Sequence, residues 1–308
     1  MRLIVDIVGA AAARPVGTLA RPELTCGRGA TTLAGVAAPA EDGGWRPSRL
    51  QPNAFGLGEA LGGLAAGFVL AQVAVGALAS LRHVPSASTS VGSDAASLVG
   101  LWLGLVGAAL VASRRHLPRA GRADPARAGE GDAGRAPSAS LRRDFGLALR
   151  PWPDVPLGIA IGVVSQYVLV PLFELPLLPF VPHLYTRLGQ PAVSLTSTAS
   201  GAGLVALAVL VCLGSPIVEE LYFRGLLLRS VGGRLGPRLG PRLGPAASVG
   251  VVALVFGLVH FEALQLLALV GFGAVLGALA WRTGRLGPGI VAHVSFNTLA
   301  FVTVVRGH

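Results

Sequence analysis

Seven stretches of this chain are apolar for long enough to cross a lipid bilayer, and that constraint governs what it can fold into. A helix needs about 20 apolar residues to span the hydrocarbon core. Such runs occur at 55–81, 94–113, 155–180, 201–228, 246–262, 264–281 and 286–305, the fifth being the shortest. With no water in the bilayer core, backbone polar groups must be bonded inside the protein, which favours helices for continuous apolar runs. The fold expected is therefore all-α: a polytopic transmembrane helical bundle of about seven spans, with 183–199 a candidate for a short eighth. Composition agrees. The chain of 308 residues is 52% hydrophobic and 13% charged, against about 25% charged in a soluble domain.

The segments between the runs divide the chain. Residues 1–53, rich in Pro, Gly, Ala and Arg, read as a poorly ordered cytoplasmic N-terminal region. Residues 3–13 resemble a short signal-peptide core, but Asp6 interrupts them. Residues 54–113 hold two N-terminal transmembrane helices. Residues 114–153 form a flexible, Arg-rich cytoplasmic linker whose end, LRRDFGLALRPWP, suits the headgroup level. Residues 154–308 hold the remaining spans. The segment 234–245 is RLGP repeated three times, and its prolines and glycines predict a turn. In GGLAAG of the first span and GFGAVLG of the sixth, glycines stand four apart, a spacing that permits close helix–helix contact.

All 25 basic residues are arginine, and the formal charge is +10. A basic chain can suggest nucleic acid, but these arginines lie between apolar runs, where the membrane surface accounts for them. With the N-terminus inside, 21 arginines fall on inner segments and Arg82, Arg187 and Arg306 on outer ones. Arginine excess marks the cytoplasmic side. The reading is a multi-pass protein of the cell membrane with a cytoplasmic N-terminus and lipid, not nucleic acid, around it. Cys26 and Cys212 make neither a disulfide framework nor a zinc pattern.

Ionisable groups within a membrane are costly and usually functional. Glu59 and Glu174 lie near span ends, where a carboxylate is tolerated. The fourth span differs: SPIVEELYFRGLLL places Glu219, Glu220 and Arg224 inside an apolar run. Glu220 and Arg224, four apart, share a face and can pair. A structural ion pair explains those two and leaves Glu219 unexplained. The fifth span ends in FGLVH, with Phe256 one turn before His260. The seventh contains HVSFN, with His293 and Asn297 on one face. At about 1.5 Å per residue, Glu219 lies about 15 Å from the inner end of its span, His260 about 20 Å, and His293 and Asn297 about 10 and 16 Å. All four reach mid-membrane, so three spans can share one buried cavity.

A carboxylate beside an imidazole can take a proton from water. A second imidazole and an amide can donate to a developing oxyanion, and an arginine can orient carboxylates. That set suits hydrolysis of a peptide bond within the membrane. No serine or cysteine nucleophile stands beside a base; Ser295 and His293, two apart, face differently.

In order and spacing, EExxxR at Glu219, Glu220 and Arg224, FxxxH at Phe256 and His260, and HxxxN at His293 and Asn297 resemble the CPBP family. These are the CAAX proteases and bacteriocin-processing enzymes, also called Abi, which include the type II CAAX prenyl endopeptidase. The resemblance covers 201–305. It implies an intramembrane glutamate peptidase acting on a membrane-associated or lipidated protein or peptide. Glu219 and His260 would activate water, His293 and Asn297 would form the oxyanion hole, and Glu220, Arg224 and Phe256 would support them. No cofactor is required. Two glutamates and two histidines also suit zinc, and Glu219, His260 and His293 are its ligands in that unfavoured reading. The competing functions are a non-catalytic scaffold or bacteriocin-immunity-type protein that keeps the fold, and a transporter. The spans show no broken-helix pair repeated in two halves, which disfavours the transporter.

Overall fold

The computed structural model describes residues 55–83, 90–115, 141–197 and 199–306. These form eight helices, and no strand occurs among the described residues. Helix α1 is Leu57–Arg82 and α2 is Val91–Arg115. A short α3, Leu141–Phe145, precedes α4, Pro151–Leu177, which passes through a π-helical turn at Ser165–Leu169. Then come α5, Leu184–Ser197, α6, Ala202–Leu258, α7, Leu266–Thr283, and α8, Gly287–Arg306. The expected region 1–53 and most of the expected linker lie outside the described residues.

Six of these helices are long and apolar enough to cross a membrane, one fewer than the seven spans expected, because α6 contains two of them. Its 57 residues would extend about 85 Å if straight, nearly three times the hydrocarbon thickness. The chain instead reverses at Gly240, at φ 75°. A Cβ on Gly244 would fall 2.9 Å from the Cα of Gly236, whereas eight residues of straight helix cover about 12 Å. The two arms of α6 thus make separate passages, and the bundle crosses seven times. The RLGP repeat corrects the sequence reading in one respect. Its backbone stays helical on both sides of the reversal, and only Gly240 departs. Pro241 opens the second arm, where its missing N–H has no intrahelical partner to lose. Helix α5, the candidate eighth span, has 14 residues with Pro191 among them, about 21 Å, too short to cross.

Many of the large apolar side chains point outward from the bundle. Val69, Val73, Leu103, Leu172 and Val205 are each more than half exposed, as lipid-facing residues should be. Small residues fill the contacts. Gly63 and Gly67 of α1 meet Ala108, Gly104 and Leu101 of α2, and a Cβ on Gly104 would lie 2.3 Å from the Cα of Gly67. In α7, Gly273 and Gly277 face Ala253 and Val249 of the second α6 arm. Both glycine spacings noted in the sequence are therefore sites of close approach. Glu59 accepts from the Gly56 amide at 2.9 Å and pairs with Arg115 at 3.0 Å, fixing one end of the α1–α2 pair.

The described end of the expected linker, 141–153, is folded into the bundle. Phe145 is fully buried and stacks on Phe55 at 5.1 Å. The amides of Leu286 and Gly287 donate to the carbonyls of Gly146 and Ala148 at 2.9 and 3.2 Å. Asp154, buried, pairs with Arg285 at 2.5 Å. These bonds hold the start of α8. Next, Gly158 and Gly162 of α4 let its backbone approach Val291, Ala292 and Ser295 closely. Helix α8 is thereby fixed along the half that carries His293.

Candidate active site

The first arm of α6 changes helical type four times within 26 residues of chain, and the changes follow from its sequence. It is α-helical at Ala202–Val209, π-helical at Leu210–Gly214, α-helical at Ser215–Glu219 and π-helical at Glu220–Leu227 before resuming at Leu228. In the first π turn the Ser215 amide donates to the Leu210 carbonyl. The next such bond, to Val211, would need an N–H at position 216, which is proline. The Val211 carbonyl is left for another donor, and the Asn297 side-chain amide supplies it at 3.0 Å. Pro216 thus creates the acceptor that orients Asn297. A buried carbonyl in a bilayer needs such a partner. Past Glu219, hydrogen bonds reach five residues back, so each turn takes up more than four residues. Residues i and i+4 then lie nearly above one another, and Glu220 meets Arg224 at 2.9 Å with both side chains fully buried.

His293 stands between the two carboxylates. Its Nδ1 donates to Oε1 of Glu220 at 3.1 Å, and its Nε2 lies 3.9 Å from Oε2 of Glu219. Arg224 also donates to the Gly273 carbonyl at 3.2 Å, and its guanidinium lies 4.5 Å from the centre of the Phe256 ring. The Phe256 ring is flanked by both histidines, His260 at 4.7 Å and His293 at 5.9 Å. One aromatic side chain therefore ties together all three motifs. The His260 Nδ1 bonds to the Phe256 carbonyl at 2.6 Å. Since a carbonyl only accepts, Nδ1 carries the proton and Nε2 is the basic nitrogen.

The seven residues read from the sequence thus fall in one region, but not all touch. Glu219, Glu220, Arg224 and His293 form the polar centre. The hydrogen bonds of His260 and Asn297 go instead to the backbone carbonyls of Phe256 and Val211. Oε2 of Glu219 and Oε2 of Glu220 are buried and accept no hydrogen bond from the protein. The Glu219 side chain keeps 17% of its surface exposed while that of Glu220 keeps none, so only the former is within reach of an incoming molecule. Among the described residues, no three His, Cys, Asp or Glu side chains converge as ligands of a metal ion. A groove of about 600 Å³ between α1 and α2, and another of about 390 Å³ beside Thr196 and Val305, lie away from this centre.

Two contributors, Gly289 and Phe272, have no place in the sequence reading, and a third, Gly273, stands there only as a site of close helix contact. Gly289 lies one turn before His293, where a Cβ would come 2.9 Å from Oε2 of Glu220. Its small size is the only sign of that. Phe272 and Gly273 of α7 touch His293 and Arg224. No charge or motif marks Phe272, and the glycine spacing that marks Gly273 says nothing of Arg224.

Residues 201–299 match the family model described as Type II CAAX prenyl endopeptidase Rce1-like. The match takes in all three motifs on both arms of α6, α7 and α8. No curated protein and no solved structure matches the chain.

Proposed function

We propose that this membrane protein, whose residues 201–299 match the family model described as Type II CAAX prenyl endopeptidase Rce1-like, hydrolyses a peptide bond of a membrane-associated or lipidated protein, using water activated by Glu219 and His260. The observation that carries the proposal is the placement of His293 between Glu220 and Glu219, at 3.1 and 3.9 Å, inside a membrane-spanning bundle. Glu219 is the carboxylate with surface to offer, so it takes the proton from water as the water oxygen bonds to the peptide carbonyl carbon, and returns it to the amide nitrogen as the C–N bond breaks. The unprotonated Nε2 of His260 holds the same water by accepting a second hydrogen bond. His293, its Nδ1–H held by Glu220, presents Nε2 to the reacting carbonyl and donates to the developing oxyanion once Nε2 also carries a proton. Asn297 spends one amide hydrogen on Val211 and keeps the other for the oxyanion. Glu220 and Arg224 support the site: the arginine fixes the carboxylate, and the carboxylate fixes the imidazole. No metal or other cofactor takes part in this scheme. The arginine distribution supports an N-terminus in the cytoplasm.

The test compares peptide termini in host membranes carrying wild type or Glu219→Ala at equal protein levels. New termini that fall at least about 100-fold in the variant establish the peptidase. Identical termini, with the variant still rescuing any deletion phenotype, would favour a non-catalytic scaffold.

A further inference from the structure

The three motifs occupy the two arms of α6 and α8. Helix α7 carries none of them, yet it touches the polar centre at two adjacent residues. The Phe272 ring, 1% exposed, stands edge-to-face on the His293 imidazole at 5.4 Å and 85°. Phe256 stands against the same imidazole at 5.9 Å and 73°. One residue further, the Gly273 carbonyl accepts from Arg224 at 3.2 Å. Phe272 is itself held from behind by Phe296, stacked at 4.1 Å and 17°.

These contacts solve a problem that the hydrogen bonds leave open. The χ2 torsion of histidine is broad and has no sharp rotamer wells. One bond from Nδ1 to Glu220 fixes a single atom and lets the ring swing about it. Two aromatic rings nearly perpendicular to the imidazole restrict that swing and so fix the direction of Nε2. Gly273 acts on the opposite partner: its carbonyl fixes Arg224, and Arg224 fixes Glu220. The carbonyl can come so near because residue 273 lacks a Cβ, which would lie 3.1 Å from Phe256 Cδ1 and 3.2 Å from Ala253 Cα.

We propose that α7 is the positioning element of this site, with Phe272 setting the orientation of the His293 ring and the Gly273 carbonyl setting Arg224 and, through it, Glu220. The catalytic consequence rests on the peptidase reading; the effect on the histidine does not.

The experiment uses the full chain in detergent micelles with ¹⁵N-labelled histidine side chains, the His293 signals being identified by their loss in His293→Gln. In wild type, His293 shows one sharp set of ring signals with a proton on Nδ1. Phe272→Leu is expected to broaden or split those signals, and to lower the yield of Glu219-dependent termini about tenfold, the scale of one edge-to-face contact. Phe173→Leu is the control, because Phe173 packs on Gly271 of the same helix and makes no ring contact with His293. It should leave the His293 signals as in wild type. If Phe272→Leu does not fold, pentafluorophenylalanine at position 272 keeps the ring's shape while inverting its charge distribution, and should shift the same signals. Unchanged His293 signals in every folded variant at position 272, or an equal change in Phe173→Leu, overturn the proposal. Changed signals without any Glu219-dependent termini in wild type leave the positioning role standing and remove the peptidase.

Discussion

The α1–α2 pair and the convergence of α6, α7 and α8 are both helix packings in a membrane, yet different forces hold them. Between α1 and α2 the backbones approach through Gly63, Gly67, Gly100 and Gly104, and the ion pair Glu59–Arg115 sits at the edge with Arg115 66% exposed. Around Glu220, an ion pair fully buried within α6 is tied to the neighbouring helices by a histidine, by side-chain bonds to backbone carbonyls and by the rings of Phe256, Phe272 and Phe296. Lipid is as apolar as leucine, so apolar helices gain nothing by hiding from it and associate through close van der Waals fit. A fit of that kind tolerates few changes of size and many of polarity at its rim. A buried polar centre behaves in the opposite way, since its partners were never bonded to water in the membrane. The first region is built for attachment and the second for chemistry.

The sharpest way to break this comparison is Arg224→Ala. It leaves the Glu220 carboxylate buried without its cation, which should cost about 3–5 kcal/mol. Reversible unfolding in mixed micelles measures it. Adding Glu220→Gln to the same chain should recover a large part, because the loss comes from an unpaired charge and not from a missing contact. A single-variant loss below about 1 kcal/mol would mean that the centre is wet enough to solvate Glu220, and the contrast with α1–α2 would disappear.

Next in size is Gly104→Val. Its Cβ would meet backbone, the Cα of Gly67, at 2.3 Å, so neither helix can yield without moving as a whole. Overpacking of this kind costs about 1–3 kcal/mol. Gly107→Val, one turn along with nothing within 4 Å, should be neutral. Neither should alter Glu219-dependent cleavage per folded molecule. A loss of cleavage in Gly104→Val without loss of stability would show that the α1–α2 pair takes part in the site.

What the sequence makes legible follows the same division. Runs of apolar residues announce the passages through the membrane because lipid imposes them residue by residue. Glu220 with Arg224, and His293 with Asn297, stand out because charge and amide are rare in such runs and helical spacing places each pair on one face. The aromatic walls do not stand out. Phe272 is one of many apolar residues in an apolar helix, and only the tertiary structure distinguishes the ring against His293 from those against lipid. The fate of Val211 was legible in principle, since Pro216 removes the donor its carbonyl would use in a π turn, but that argument needs the π turn to be known. The reversal at Gly240 was legible as a turn; its sharpness was not, because three prolines leave the helical backbone intact on either side of one glycine. Residues 141–153 carry arginines and prolines like a linker, while the burial of Phe145 and the close approach at Gly146 depend on Phe55 and Gly284, far away in the chain.

The smallest effect tests the seam between the two regions. Tyr222, fully buried on the π-helical stretch beside Glu220, donates its hydroxyl to the Ala60 carbonyl of α1 at 2.6 Å. The ring fills space that phenylalanine would also fill, and a helical carbonyl has a second lone pair to give. Tyr222→Phe therefore removes one hydrogen bond and little else, for about 0.5–1.5 kcal/mol. Ala60 and Gly63 lie on neighbouring positions of α1, and Gly63 packs on the Gly104 carbonyl. If the seat of α1 is set jointly by the glycine contact and the tyrosine, Tyr222→Phe and Gly104→Val should be coupled by more than about 0.5 kcal/mol in a double-mutant cycle. Strict additivity would instead mean that α1 is seated by α2 alone, and that the polar centre borrows nothing from the pair beside it.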